Sequence, residues 1–219
     1  TGSVQRPAAA PIVAPRWQIT NQPCDRLVFS PDSTRVAVVS YDRDEVAMCA
    51  AATGQIQQRI PATQCRAAAF SPDGRWLAFT VQDNVILWDW PRRRQVQVLS
   101  GHISTVTSAA FSPDSRTLAT AGNDRRIKLW KPAAGQLLHT LTGSAGYLRG
   151  IAFADNNRLI SVGDNENLHV WHVTLGQLLC TLRSAPHNPA HYLAVSPDAE
   201  HLALRLDNGQ VELLDVFRP

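Results

Sequence analysis

A four-residue motif recurs along the chain at a nearly constant spacing. Phe-Ser-Pro-Asp begins at Phe29, Phe70 and Phe111, and altered copies begin at Phe153 and Val195. Consecutive copies are 41 or 42 residues apart, and a second marker, Trp in three of the five units, follows each copy by 18 to 20 residues. Repeats of this length stack on one another and bury a continuous core. The sequence therefore predicts five similar structural units between Pro23 and the end of the chain.

Each unit has the pattern of four short strands joined by tight turns. In Ser-Pro-Asp-Gly at 71–74, the proline presets φ for a turn and the glycine frees the fourth position. Residues 85–88, Val-Ile-Leu-Trp, are apolar throughout, which predicts a strand that is covered on both faces. Residues 95–98 alternate between polar and apolar side chains, which predicts a strand with one solvent-exposed face. A four-stranded unit of this period is typical of a propeller blade, so the predicted fold is an all-β propeller.

The third unit resembles a WD40 repeat. Residues 101–130 read GHISTVTSAAFSPDSRTLATAGNDRRIKLW, with Gly101-His102 opening the unit, Asp124 in a tight turn and Trp130 closing it. The second unit carries the Trp-Asp dipeptide at Trp88, whereas the other units are more degenerate. The resemblance covers residues 16–219 and implies a WD40-type β-propeller with five recognisable four-stranded blades.

The two ends of the chain leave open how the blades close. Residues 1–15 are rich in Pro and Ala and are predicted to be an extended linker, with the propeller at 16–219. Residues 16–19 have the pattern of an outer strand without a blade of its own, and the last unit stops after its third strand. That N-terminal strand could complete the last blade and close the ring. Alternatively, because WD40 propellers commonly have about seven blades, the five form an arc whose exposed faces predict self-association.

Composition excludes several classes of protein. The net charge of +3 is small for a nucleic-acid-binding domain, and no apolar run is long enough for a transmembrane helix. The four cysteines, Cys24, Cys49, Cys65 and Cys180, form no Cys-x-x-Cys pair and fit free thiols in a reducing compartment. We therefore expect a cytoplasmic protein without membrane or nucleic-acid partners.

The resemblance also implies a buried hydrogen-bond network in the third unit. Its members are His102, Thr120, Asp124 and Trp130. A hydroxyl, an imidazole and a carboxylate could suggest a catalytic triad, but these positions are expected inside the blade, where no substrate reaches. The fourth unit has Ser144 in place of the histidine, so the third unit is expected to be the most rigid and the slowest to exchange its amide hydrogens.

The expected function is that of a non-catalytic protein–protein interaction scaffold in a regulatory or signalling protein. WD40 propellers generally bind partners at one mouth of the central channel, through the loops before the first strand and between the second and third strands. The residues at these positions include several Arg and Asn and one Tyr, a composition that is compatible with a protein–protein interface. Carried over by position, the predicted partner-binding residues are Arg43, Arg66, Asn84, Arg125, Arg126, Tyr147, Glu166, Asn167, His191 and Asn208. No catalytic residue, cofactor or metal site is predicted.

Two other functions remain open. A propeller hydrolase or lyase would need convergent acidic or histidine side chains in the channel, whereas the inner strands are rich in Ala, as at 67–69. Nucleic-acid binding would need a wide basic face, and the strongest candidate is the run Trp-Pro-Arg-Arg-Arg at 90–94. The His187 and His191 spacing would suit zinc on a helix, but Pro189 lies between them and predicts a loop.

Overall fold

The computed structural model describes residues 24–164, 167–183, 190–196 and 198–215. The predicted linker at 1–15 and the predicted N-terminal strand at 16–19 lie outside this part of the chain, as do His187 and Pro189. Among the described residues, no helix has the length and apolar character needed to cross a membrane.

Five antiparallel sheets follow one another along the chain, which confirms the all-β, five-bladed propeller. Within each sheet the strands pair in sequence order. The first blade contains β1 (Arg26–Phe29), β2 (Arg35–Ser40), β3 (Glu45–Ala50) and β4 (Ile56–Pro61); the second contains β5 (Ala68–Phe70), β6 (Trp76–Val81), β7 (Asn84–Asp89) and β8 (Arg94–Leu99). The third contains β9 (Val106–Phe111), β10 (Leu118–Gly122), β11 (Ile127–Lys131) and β12 (Gln136–Leu141); the fourth contains β13 (Leu148–Phe153), β14 (Arg158–Gly163), β15 (Asn167–His172) and β16 (Gln177–Arg183). The fifth has three strands within the described residues: β17 (Ala190–Val195), β18 (His201–Leu206) and β19 (Val211–Asp215).

The Ser-Pro-Asp motif builds the turn between the first and second strands of a blade. In the third blade the Ser112 hydroxyl donates to the Asp114 carboxylate at 2.6 Å and accepts the Thr117 N–H at 2.9 Å. The same carboxylate oxygen accepts the Arg116 N–H at 3.0 Å. Side-chain acceptors thus satisfy the backbone donors of the turn, which explains why this short motif repeats with the strands.

The phenylalanine that opens the motif anchors one blade on the preceding one. Phe70, Phe111 and Phe153 are each at most 9% exposed. Phe70 packs with Met48 of the first blade and Leu77 of the second, in the apolar core between these two blades. Because fully burying such a side chain contributes about 1.5–3 kcal/mol, the repeated Phe explains much of the constant spacing between units.

The outward faces of the first and fifth blades are not covered in this way. Phe29, the first-blade counterpart of Phe70, is 63% exposed. In the fifth blade Val211 and Leu213 are 72% and 69% exposed, although their second-blade counterparts Val85 and Leu87 are fully buried. Each pair of consecutive blades is therefore joined by buried apolar side chains, which gives four such contacts. These residues of the fifth and first blades do not form a fifth contact of that kind.

The described cysteines are free thiols. Cys49 and Cys65 are buried, and Cys24 and Cys180 are exposed. Burial raises the pKa of the Cys65 thiol, although hydrogen bonds with Thr80 oppose that shift. A buried thiol with a raised pKa is a poor nucleophile, so Cys65 acts here as a small packing residue.

Candidate functional site at the channel mouth

The first strands of the five blades converge on a central cavity. The cavity has a volume of about 240 Å³ and lies at the end of the propeller where these strands begin. Every blade contributes to its lining: Asp25, Arg26 and Tyr41 from the first, Cys65 and Arg66 from the second, Thr107 from the third, Arg149 from the fourth and Tyr192 from the fifth.

One position of the repeat supplies a lining residue from four of the blades. Asp25, Arg66, Thr107 and Arg149 each lie four residues before the Phe that opens the Ser-Pro-Asp-type motif. His191 holds the same position in the fifth blade and lies in β17. The channel mouth is therefore surrounded by a ring of equivalent positions whose side chains differ in size and charge.

In three blades this position is a β-bulge. The pairing of β9 with β10 passes from Val106 to Ser108 and leaves Thr107 as the extra residue. Arg149 is skipped in the same way in the fourth blade, and His191 in the fifth. A bulge adds one unpaired residue and redirects its side chain. In the fourth blade this explains how Arg149, a residue within a strand, can line the cavity. The Thr107 hydroxyl instead donates to the carbonyl oxygens of Ala121 and Leu148.

The backbone beside these bulges needs glycine. A Cβ atom on Gly122 would lie 2.5 Å from the carbonyl oxygen of Thr105, and one on Gly163 would clash with the carbonyl oxygen of Tyr147. In the second blade a hydroxyl replaces this arrangement, because Thr80 Oγ1 accepts the N–H groups of Arg66 at 2.9 Å and Ala67 at 3.1 Å. The glycine in the third and fourth blades and the Thr80 hydroxyl in the second thus fix the backbone that leads into the first strand of each blade.

The arginines at the mouth have different partners. The Arg149 guanidinium donates to both oxygens of Asp164, at 2.7 and 3.1 Å, and this hydrogen bonding raises its pKa. Arg66 stacks on the Tyr41 ring, with Cζ 4.9 Å from the ring centroid. Arg26 stacks on the Tyr192 ring at the same distance. The mouth therefore combines positive charge with aromatic surfaces.

The predicted partner-binding residues are divided between this cavity and its surroundings. Arg66 lines the cavity. Tyr147, half exposed, precedes β13, and its carbonyl oxygen accepts the N–H of Asp164 at 3.0 Å. His191 lies in β17, and the remaining described members lie in or beside the turns between second and third strands: Arg43, Asn84, Arg125, Arg126, Asn167 and Asn208. Glu166 lies outside the described residues.

Sequence reasoning did not identify Arg26, Tyr41, Arg149 or Tyr192 as residues of the mouth. Arg149 could have been found, because it occupies the same place in its repeat as Arg66. The other three have no periodic signal: the residues that match Arg26 in the second and third units are Ala67 and Ser108.

The third blade contains the hydrogen-bond network that the resemblance implied. His102 Nδ1 lies 2.8 Å from Asp124 Oδ2, and His102 Nε2 lies 2.9 Å from Thr120 Oγ1. Trp130 Nε1 donates to the same hydroxyl at 2.9 Å. Burial alone would raise the pKa of Asp124, but the hydrogen bond with His102 and two backbone N–H groups lower it overall. The His102 and Asp124 side chains are fully buried within the blade, so this arrangement ties strands together.

The neighbouring blades carry only parts of this network. In the fourth, Trp171 Nε1 donates to Ser161 Oγ at 2.9 Å, whereas the Ser144 hydroxyl bonds to the carbonyl oxygen of Gly146 instead. In the second, Phe79 stands where the third blade has Thr120, and the buried Trp88 Nε1 has no hydrogen-bond partner among the described residues.

The opposite face of the propeller carries the arginine-rich turn at 90–94. Trp90 is buried against Phe70 in an edge-to-face contact, with ring centroids 6.3 Å apart. Arg92 pairs with Asp89 at 2.9 Å. This turn is therefore partly committed to packing and to an internal ion pair, which reduces its value as a binding surface.

One group of side chains on that face has the spacing of metal ligands. Ligand atoms of Asp198, Glu200 and His201 lie within 4.8 Å of one another. Asp198, however, accepts the Ser196 hydroxyl and the Glu200 N–H, as its counterparts do in the other Ser-Pro-Asp turns. The turn alone explains the position of its carboxylate, so the cluster is not evidence of an ion site.

Comparisons with known proteins agree with this architecture. Residues 93–131 and 135–172 match the family described as "WD domain, G-beta repeat". The fold is similar to the solved structures titled "Structure of U3-55K" (TM-score 0.82) and "Crystal structure of RRP9 WD40 repeats" (TM-score 0.81), each at 18% sequence identity. Each match covers 90% of this chain and 62% of the other, so this chain spans less than two thirds of their length. No curated protein sequence matches. The shared fold shows that the chain is a β-propeller, and within it residues 93–131 and 135–172 match the WD40 repeat.

Proposed function

We propose that this chain is a non-catalytic scaffold that binds a protein or peptide partner at the channel mouth. The observation that carries the proposal is the cavity to which all five blades contribute, rimmed by polar turns. A rigid ring of strands that presents side chains from several blades can position contacts without moving its backbone, which lowers the entropic cost of binding. A role within a larger regulatory or signalling protein of the cytoplasm is part of the proposal and agrees with the free thiols.

A catalytic function has less support from the site. The hydroxyl, imidazole and carboxylate of the third blade lie inside the sheet, away from the cavity. Among the described residues that line the cavity, Asp25 is the one carboxylate, and it accepts the N–H of Tyr41 at 2.7 Å. General acid–base chemistry would need a titratable group that is free to exchange a proton with a substrate.

The proposal is tested by affinity capture from cell lysate with three forms of the protein. Arg125→Glu/Arg126→Glu reverses charge in a turn on the side of the mouth, and Arg93→Glu reverses charge in the turn on the opposite face. We expect the wild type and Arg93→Glu to retain the same proteins and the double variant to lose them, with all three forms equally folded by circular dichroism. Equal retention by all three would contradict binding at the mouth.

Self-association is a second candidate property. Its support is the exposure of Leu27 and Phe29 on the first blade and of Val211 and Leu213 on the fifth. We propose that the first-blade face of one copy packs on the fifth-blade face of another. This interface pairs two different surfaces, so it allows chains or rings of copies as well as dimers.

A further inference from the structure

Two arginine side chains at the channel mouth have no acidic partner among the described residues. Arg149 is held by both oxygens of Asp164. By contrast, neither Arg26 nor Arg66 makes an ion pair within the described part of the chain, although both line the cavity. Asp25 is the one carboxylate among the described residues of the lining, and it forms no ion pair with Arg26 or Arg66, so positive charge exceeds negative charge in this lining.

The geometry of both side chains leaves donors available. Arg26 and Arg66 lie over the faces of Tyr192 and Tyr41, each with Cζ 4.9 Å from the ring centroid. A ring accepts no conventional hydrogen bond from a guanidinium above it, so the N–H groups can still donate to a ligand. Arg26 makes one long hydrogen bond, from Nη2 to the carbonyl oxygen of Thr107 at 3.5 Å. A guanidinium that makes no ion pair can donate two N–H groups to an acceptor with two oxygens.

The surroundings of Arg26 strengthen its need for an anion. Burial lowers the pKa of Arg26, because a less hydrated site disfavours the charged form. Arginine nevertheless stays protonated in proteins at neutral pH. A half-buried positive charge without an ion-pair partner among the described residues is costly, and an anion that enters the cavity would reduce that cost.

The size of the cavity limits what can enter. At about 240 Å³ it is smaller than the roughly 300–1,000 Å³ that is typical of sites for drug-sized ligands. It can hold the end of one side chain, while the rest of a peptide lies across the polar turns around it. This favours an anionic side chain of a peptide over a cofactor.

We propose that the channel mouth recognises a phosphorylated or carboxylate-bearing side chain of a peptide partner, with Arg26 and Arg66 as its cationic contacts. The inference rests on the proposed function, because it specifies the chemistry of the partner at the same mouth. It assigns the contacts to the inner ring of the cavity, whereas the capture experiment changes the outer turns. The two proposals can therefore fail separately.

The test uses NMR of the arginine Nε–Hε groups during titration with defined probes. The probes are a short glycine–serine peptide with one central phosphoserine, the same peptide with glutamate, the same peptide with serine, and inorganic phosphate. We expect saturable shifts of Arg26 and Arg66 with the phosphoserine peptide, weaker shifts with glutamate or free phosphate, and none with serine. Arg66→Gln, at an exposed position, should weaken binding about tenfold or more, whereas Arg93→Gln on the opposite face should not change it.

Several results would overturn the inference. An absence of saturable shifts with both anionic peptides at millimolar concentration would rule out anion recognition. Equal shifts with the serine peptide would show binding without a charge requirement, and equal affinity for free phosphate would remove the peptide from the proposal. Tighter binding of a short single-stranded RNA, with a steep dependence on salt, would assign the site to nucleic acid instead. Unchanged binding by Arg66→Gln would place the anion elsewhere.

Discussion

The Thr120 hydroxyl joins two aromatic side chains inside the third blade. It accepts the N–H of Trp130 and lies within hydrogen-bonding distance of His102, whose other ring nitrogen meets Asp124. Because the Asp124 carboxylate accepts, the contact at 2.8 Å requires a proton on His102 Nδ1. One buried oxygen thus satisfies two polar groups that would be costly to leave unpaired.

Removing this hydroxyl without changing the shape of the side chain should be strongly destabilising. Thr120→Val leaves Trp130 Nε1 and His102 Nε2 buried without a partner, and we expect the free energy of unfolding to fall by about 2–4 kcal/mol. Thr120→Ser keeps the hydroxyl and should cost less than about 1.5 kcal/mol. Chemical denaturation of the two variants measures both values. Equal losses would show that packing, and not the hydroxyl, accounts for the role of Thr120.

The residues of this network could be located from the sequence, whereas Arg26 could not. The network follows a local pattern that the resemblance supplies residue by residue. Arg26 becomes a channel residue only because the fifth blade brings Tyr192 to it across 166 residues of sequence. Contacts of that kind depend on how the blades are arranged, which no single repeat encodes.

The turns between strands also contain backbone conformations that the motif only partly indicates. The fourth residue of the Ser-Pro-Asp turn is left-handed in four blades, with φ of 56° at Ser33, 72° at Gly74, 62° at Ser115 and 61° at Ala199. Glycine adopts this conformation without steric cost, and other residues pay about 1–2 kcal/mol.

Substitutions at two of these turns should have opposite effects on the free energy of unfolding. A Cβ on Gly74 would meet no atom within 4 Å, so Gly74→Ala tests the backbone conformation alone, and we expect a loss of about 1 kcal/mol. Ser33→Gly should gain roughly 0.5 kcal/mol, because the relief of strain exceeds the added freedom of the unfolded chain. Thermal unfolding of both variants is the measurement. A stabilising Gly74→Ala would show that the turn adopts a different conformation in solution.

The outer strands show where reasoning from alternation fails. Residues 95–98 alternate polar and apolar, yet Val98 is exposed and Gln97 is partly buried. The pairing of β7 with β8 skips Val96, and a skipped residue moves those beyond it to the other face of the sheet. The first, third and fourth blades have the same irregularity between third and fourth strands. The number of strands was therefore predictable from sequence, but the faces of the outer strands were not.

At the scale of the whole molecule, the five blades are unequal because of their position. The inner three are covered on both sides by their neighbours, whereas the first and fifth each expose apolar side chains on one face. In repeat proteins stability is approximately a sum over repeats and their shared interfaces. The two end faces are thus where this propeller can gain most from a further contact.

The exposed apolar side chains on the first and fifth blades predict that copies of the protein associate. We expect the apparent mass in light scattering to rise with protein concentration, and Leu213→Glu to hold the protein as a monomer by placing a charge on the fifth-blade face. Glu212→Gln, one residue away in the same strand, serves as a control for changes in surface charge. A wild type that stays monomeric at all concentrations would contradict assembly through these faces.

The bulges at the channel mouth have a consequence for how this protein could acquire a new partner. Thr107, Arg149 and His191 are the residues that the strand ladders skip. The Thr107 hydroxyl donates to the carbonyl oxygens of Ala121 and Leu148 and so supports the local backbone, whereas the Arg149 side chain bonds to the Asp164 carboxylate and not to the strand ladder. Substitution at Arg149 can therefore alter which ligand the channel mouth recognises while the strand pairing around it stays the same. A bulged position of this kind is a starting point for directed evolution, because its side chain can be varied without a change in the register of the sheet.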